Sequence, residues 1–195
     1  MFQILSADPL LFLVLSTALV FSLSFHELAH AFVAYKLGDP TAKIQGRLTL
    51  NPLAHLDPWG TFLLLFAGFG WAKPVPVNFE NLNKPKRDMT LVSLAGPLAN
   101  LFLATISSFV LKSIQGFTQD FLQNSSGSAL SNGFLSAFLV NFLFFLAFYN
   151  VSLCIFNLLP FHPLDGFKVV LGILPRDLAL QWSKLAPYGI FVLLF

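Results

Sequence analysis

The sequence is short of charge and nearly without cysteine. Asp, Glu, Lys and Arg make up only 10% of its 195 residues, where a soluble domain carries about a quarter. That shortage excludes an ordinary water-soluble fold, a disordered chain and a nucleic-acid binder. The single cysteine, Cys154, lies inside an apolar run and rules out an intrachain disulfide. The first 35 residues hold no Lys or Arg, so the basic start of a cleaved signal peptide is missing and the apolar run there is expected to stay in the mature protein. Hydrocarbon fills the composition instead: 56% hydrophobic residues, 24 Phe and a mean hydropathy of +0.75. Helices that are apolar all round belong in lipid, because a water-facing helix needs a polar stripe.

Crossing a hydrocarbon core takes roughly 20 apolar residues in a helix. Residues 9–35, 91–112 and 134–159 meet that length, while 57–71 is marginal and 187–195 is still apolar where the sequence stops. The expected architecture is an α-helical polytopic membrane protein with about four to six membrane segments, forming one domain over 1–195 whose last membrane helix is cut short. Between the first two long segments, 41–50 has strand-like spacing. Residues 71–78 carry two prolines that suit an extended edge strand, so a short membrane-associated β element is expected there. Seven Lys and Arg, from Lys36 to Arg87, lie between the first and second long segments, and Lys168, Arg176 and Lys184 follow the third. Since cytoplasmic loops hold the positive excess, these regions are expected on the cytoplasmic side, with the N-terminus and the Gln/Ser/Asn/Gly-rich loop over 114–133 outside.

An ionisable side chain at the centre of a membrane helix costs about 2.5–3.5 kcal/mol on insertion scales. The first long segment holds three together, in His26-Glu27-Leu28-Ala29-His30. Four positions apart on a helix, the two histidines stand on one face about 6 Å apart, where both imidazoles reach one metal ion. Glu27 sits beside that ion, placed to take a proton from water. The plainer reading makes the histidines hydrogen-bonded core residues and lets Glu27 snorkel to the interface. A catalytic zinc keeps three protein ligands and one open position, and the candidates for the third are His55, Asp57, His162 and Asp165. On spacing alone Asp165-Gly166 fits a metal ligand and an ordinary turn or helix cap equally well. Asp57 before Pro58 suits capping, with His55 either structural or close to the metal.

Five motifs in order resemble the site-2 protease family of intramembrane metalloproteases, peptidase family M50: His26-Glu-Leu-Ala-His30, Asn51-Pro-Leu-Ala-His55-Leu-Asp-Pro-Trp-Gly60, Gly70-Trp-Ala-Lys-Pro-Val-Pro-Val-Asn78, Ala95-Gly-Pro-Leu-Ala-Asn100, and Asn157-Leu-Leu-Pro through Leu164-Asp-Gly166. The likeness is to compact members without a PDZ domain. It implies that His26, His30 and Asp165 bind one Zn2+, that Glu27 is the catalytic base, and that Asn157 positions substrate or stabilises the oxyanion. It further implies that residues 73–78 pair with an unwound substrate, and that the partners are single-span transmembrane proteins in a bacterial-type inner membrane, cut near the cytoplasmic face. His162 departs from the family, which commonly has proline there. A competing class is a metal-binding membrane transporter or chaperone, which would carry ionisable residues at several depths on more than one helix.

Overall fold

In the computed structural model, which describes residues 2–67, 70–124 and 133–194, the chain is mostly helical. A short α1 (Phe2–Ala7) precedes α2 (Pro9–Lys36), which starts where the Asp8 carboxylate accepts from the Leu11 N–H (2.9 Å) and Pro9 takes the first helical position. Asp before Pro is a strong helix start, since the carboxylate satisfies an orphan donor and proline loses no bond there. The long α5 (Pro85–Asn124) opens on Pro85, with Asp88 reaching back to the Lys84 N–H at 2.7 Å. It is followed by α6 (Gly133–Asn157). At 1.5 Å per residue the three are about 42, 60 and 38 Å long. Their stretches Pro9–Lys36, Pro85–Ile114 and Phe138–Asn157 are long and apolar enough to cross a membrane. The three helices pack on one another, yet Phe102, Phe109, Phe148 and Ile155 stay more than half exposed on their outer faces. In water such a surface would aggregate; in lipid it is the solvated face.

Several expectations change. Residues 57–71 form only α4 (Pro58–Ala67), ten residues and about 15 Å, half of a hydrocarbon core, so the described residues hold three spanning helices. No strand forms over 41–50. Asp39 Oδ1 accepts from both the Thr41 N–H (3.0 Å) and the Thr41 hydroxyl (2.5 Å), and this local capping closes a helical turn, α3 (Thr41–Ile44). Residues 71–78 are extended as expected, but their ladder contact among the described residues is one isolated antiparallel bridge, Ala72 with Leu56. The loop expected over 114–133 is largely helix, because α5 runs on to Asn124; its remainder, 125–132, lies outside the described residues.

Beyond Asn157 the chain turns through two prolines and re-enters helix as α7 (Asp165–Ile173), then α8 (Arg176–Ser183) and α9 (Gly189–Leu194). Gly166 permits this re-entry: a Cβ there would lie inside contact distance of the Leu158 and Leu159 carbonyls, so only glycine lets the first turn of α7 sit against the end of α6. That turn carries Asp165 to the end of the bundle where α2 carries its histidines.

Candidate metal centre

His26 and His30, one turn apart on α2, are both buried, and their Nε2 atoms lie 3.0 Å apart. From the first position of α7, Asp165 Oδ2 comes within 3.2 Å of His26 Nε2 and 3.0 Å of His30 Nε2. Gly96 on α5 faces this trio. A Cβ at 96 would lie 2.6 Å from His26 Nε2 and closer still to His30 Nε2, so the absence of a side chain leaves room beside both ligating atoms. Among the described residues these three form the one group of His, Cys, Asp or Glu close enough to share a metal ion.

The protonation pattern tests whether a metal fits. His30 Nδ1 lies 2.7 Å from the Val92 carbonyl, which can only accept, so the proton sits on Nδ1 and the Nε2 lone pair turns inward. His26 Nδ1 meets Asn100 Oδ1 at 2.5 Å with the same result. Two imidazole lone pairs and a carboxylate oxygen then converge within 3.2 Å. Such a set repels unless a positive charge sits among it. Zinc bonds of about 2.0 Å in a tetrahedron imply ligand-to-ligand edges of about 3.3 Å, close to the edges seen. The residues therefore fit zinc. The other carboxylate oxygen of Asp165, Oδ1, is 3.7 Å from Lys168 Nζ on the next turn of α7.

Glu27 lines the same cavity, of about 300 Å³, with Pro74, Val75, Val77, Ser93 and Asn157. Its Oε2 accepts from the Val75 N–H at 3.0 Å, so the extended segment 71–78 lies across the cavity as a strap. Backbone contacts hold that strap along its length. The Lys73 N–H donates to the His55 carbonyl (2.8 Å), the Arg47 guanidinium donates to the Lys73 carbonyl, and the Asn78 N–H donates to Asp39 Oδ2 (2.7 Å). Burial raises the Asp39 pKa, but hydrogen bonds from Thr41, Asn81 and Asn78 outweigh it and hold the carboxyl below its ordinary value. Burial lowers the Arg47 pKa, with the nearby Glu27 charge opposing it.

Of the candidates for the third ligand, the structure brings Asp165 to the histidines and leaves the others elsewhere. His55 is buried with Nε2 2.8 Å from the Thr49 carbonyl, Asp57 caps α4 through the Gly60 N–H (2.8 Å), and His162 is exposed with its ring edge-to-face on Phe167. Asn157 borders the cavity and donates one amide N–H to the Leu153 carbonyl (3.0 Å). Sequence reasoning gave no role in the site to Gly96, Asn100, Asn150, Asp39, Arg47 or Lys168, although Gly96 and Asn100 lie in one of the five motifs and Arg47 and Lys168 entered the charge count. For Asn100 and Asn150 the signal was present, since an amide inside an apolar helix is also costly to leave unpaired.

The family model "Peptidase family M50" matches residues 14–195. The Bacillus subtilis protein "Putative zinc metalloprotease YwhC" is 46% identical over 176 residues, 90% of this chain and 76% of that protein. Rip2 of Mycolicibacterium smegmatis, named in the same way, is 32% identical over 160 residues, 80% of this chain and 55% of its own length. Rip2 of Mycobacterium tuberculosis is 32% identical over 155 residues, 76% of this chain and 52% of its own length. The chain thus spans about half the length of the two mycobacterial relatives. No solved structure matches it at a significant level. With the family model matching nearly its whole length, the chain belongs to peptidase family M50.

Proposed function

We propose that this chain is a zinc-dependent intramembrane endopeptidase in which His26, His30 and Asp165 hold one zinc ion and Glu27 is the general base. The observation that carries this reading is the convergence of three ligating atoms within 3.2 Å beside a cavity that Glu27 also lines. When bound, zinc would supply a Lewis acid and make water a stronger acid near neutral pH. Glu27 would take a proton from the water whose oxygen bonds to the substrate carbonyl carbon, and return it to the amine nitrogen as the C–N bond breaks, leaving a carboxylate and a free amine. The Asn157 side chain, at the rim of the same cavity, steadies the substrate carbonyl as its oxygen gains charge.

The substrates proposed are single-span transmembrane proteins. Their helices must unwind before a peptide bond is accessible, and the strap 71–78 serves as the β element that receives the unwound segment by backbone pairing, with little demand on sequence. The apolar α4 and α9 enter the bilayer as further, partial segments, which accounts for the larger membrane count expected from hydropathy. Ten of the eleven Lys and Arg fall on one side of the three spans, which supports a bacterial-type cell membrane location with the site near the cytoplasmic face. The transporter reading lacks support, because the described residues hold one ligand cluster at one end of the bundle rather than a path of ionisable groups. The test is Glu27→Gln: zinc stays bound and cleavage of a single-span substrate is abolished. Retained cleavage would remove Glu27 from the mechanism.

A further inference from the structure

Away from the cavity, three polar side chains are fully buried where the three spanning helices meet: Ser22 on α2, Asn100 on α5 and Asn150 on α6. They form one connected chain that ends on a metal ligand. Asn100 Oδ1 lies 2.5 Å from His26 Nδ1; Asn100 Nδ2 lies 2.6 Å from Asn150 Oδ1 and 3.3 Å from the Ser22 carbonyl. Asn150 Nδ2 lies 2.7 Å from Ser22 Oγ and 2.7 Å from the Leu146 carbonyl, and the Ser22 hydroxyl donates to the Ala18 carbonyl at 2.7 Å.

The direction of these bonds is forced. Main-chain carbonyls only accept, so the amide nitrogen of Asn150 must face Leu146 and its oxygen must face Asn100. The amide of Asn100 is then fixed twice. Its nitrogen has acceptors at Asn150 Oδ1 and the Ser22 carbonyl, and turning it over would set oxygen against oxygen at both. Asn100 Oδ1 is left facing His26, so His26 must carry its proton on Nδ1 and aim the Nε2 lone pair at the metal position. His30 reaches the same state through a main-chain carbonyl, which no substitution can reorient. The two ligands are thus set by different devices, one by the backbone and one by a side-chain relay across three helices.

We infer that Asn150, acting through Asn100, is a positioning residue for the metal centre: it sets the tautomer and ring orientation of His26 without touching metal or substrate. This rests on the reading of His26 as a zinc ligand. Partners that orient a ligating histidine are worth about 10- to 100-fold in metal affinity. Ser22 Oγ is dispensable, because the Leu146 carbonyl still dictates the Asn150 amide without it, and Asn150 Oδ1, at 2.6 Å against 3.3 Å for the Ser22 carbonyl, is the closer acceptor that holds Asn100.

The experiment uses the full chain in detergent, with Asn150→Leu and Ser22→Ala compared with the native protein. Zinc affinity is read by chelator competition and ligand geometry by the visible spectrum of the cobalt(II)-substituted form. Asn150→Leu is expected to bind zinc about 10-fold or more weakly and to alter the cobalt spectrum, while Ser22→Ala matches the native protein in both. Equal affinity and spectrum in Asn150→Leu overturn the inference. So does an equal loss in Ser22→Ala, since the contacts would then act only as helix packing. A native chain that binds no zinc would remove the ligand reading itself, which keeps the two failures apart. A measurement on the native apoprotein covers a variant that does not fold: ¹⁵N chemical shifts of neutral His26 should report protonated Nδ1 and bare Nε2, and the reverse pattern overturns the inference.

Discussion

Two walls of the same cavity are built on different principles. The inner wall presents His26 to the cavity; behind it, where α2, α5 and α6 meet, the buried Asn100 and Asn150 complete a network whose hydrogen-bonded pairs His26–Asn100 and Asn100–Asn150 lie 74 and 50 positions apart. Breaking one of its contacts leaves a polar group unpaired in an apolar interior, at about 1–3 kcal/mol each. The outer wall, the strap 71–78, is held through its own backbone N–H and carbonyl groups by Glu27, Arg47, Asp39 and the His55 carbonyl. Backbone groups of an extended segment can exchange partners with another extended chain at little net cost. The difference teaches a division of labour: the histidine side is pre-organised and single-valued, and the strap side is built from replaceable bonds.

Substitutions on the inner wall should therefore act on zinc, and those on the outer wall on stability or turnover with zinc retained. The largest effect is expected for Gly96→Ala, whose new Cβ would meet both ligating Nε2 atoms. Zinc content and cleavage should both be lost, and a variant that keeps full zinc would show that the wall can relax. Next is Asp165→Ala, expected to weaken zinc by more than about 100-fold, beyond the effect typical of outer partners. Chelator titration reads it, and an unchanged titration would remove Asp165 from the ligand set.

On the outer wall, Asp39→Asn should cost about 2 kcal/mol of stability at neutral pH, the scale of lost charge-assisted hydrogen bonds, with zinc still bound. The pH dependence follows from the sign of the shift. Because the folded pKa of Asp39 is lowered, its contribution is complete above the unfolded value near 3.9 and is lost as pH falls through the lower folded value. Thermal unfolding at pH 7 and pH 3 should differ less in Asp39→Asn than in the native chain; equal differences would count against the assignment. The smallest effect is expected for Val75→Pro, which deletes the N–H that meets Glu27. A loss of about 1 kcal/mol, or about 5-fold in kcat/KM, with unchanged zinc affinity would place the strap on the substrate side, and a loss of zinc would dissolve the distinction between the walls.

Sequence legibility followed the same division. The three spanning helices are readable because length and apolarity need no partner, and the His26-Glu27-His30 spacing is readable because a helix brings its members together locally. Asp165 was one of four candidates, since its approach to the histidines depends on how α7 docks, 135 positions away from His30. The roles of Asn100 and Asn150 were not read for a related reason: a neutral amide in an apolar helix raises no alarm by charge, and its partners lie on other helices. The turn at Thr41–Ile44 was misread as strand because a few alternating residues resemble a strand until the Asp39 side chain is seen to cap them.

The seam of Ser22, Asn100 and Asn150 also bears on how the protein is put together in the bilayer. Within its own helix the Ser22 hydroxyl already has the Ala18 carbonyl, and Asn150 has the Leu146 carbonyl. The partners of Asn100 all belong to α2 and α6. When α5 enters the membrane its amide therefore waits for its neighbours, and lipid offers nothing in exchange. Sliding α5 by one turn, about 5.4 Å, would strand that amide in hydrocarbon. Asn100 thus acts as a register pin: helices that insert at the wrong depth remain visibly incomplete, and the metal pocket forms only after the bundle has assembled in its correct alignment.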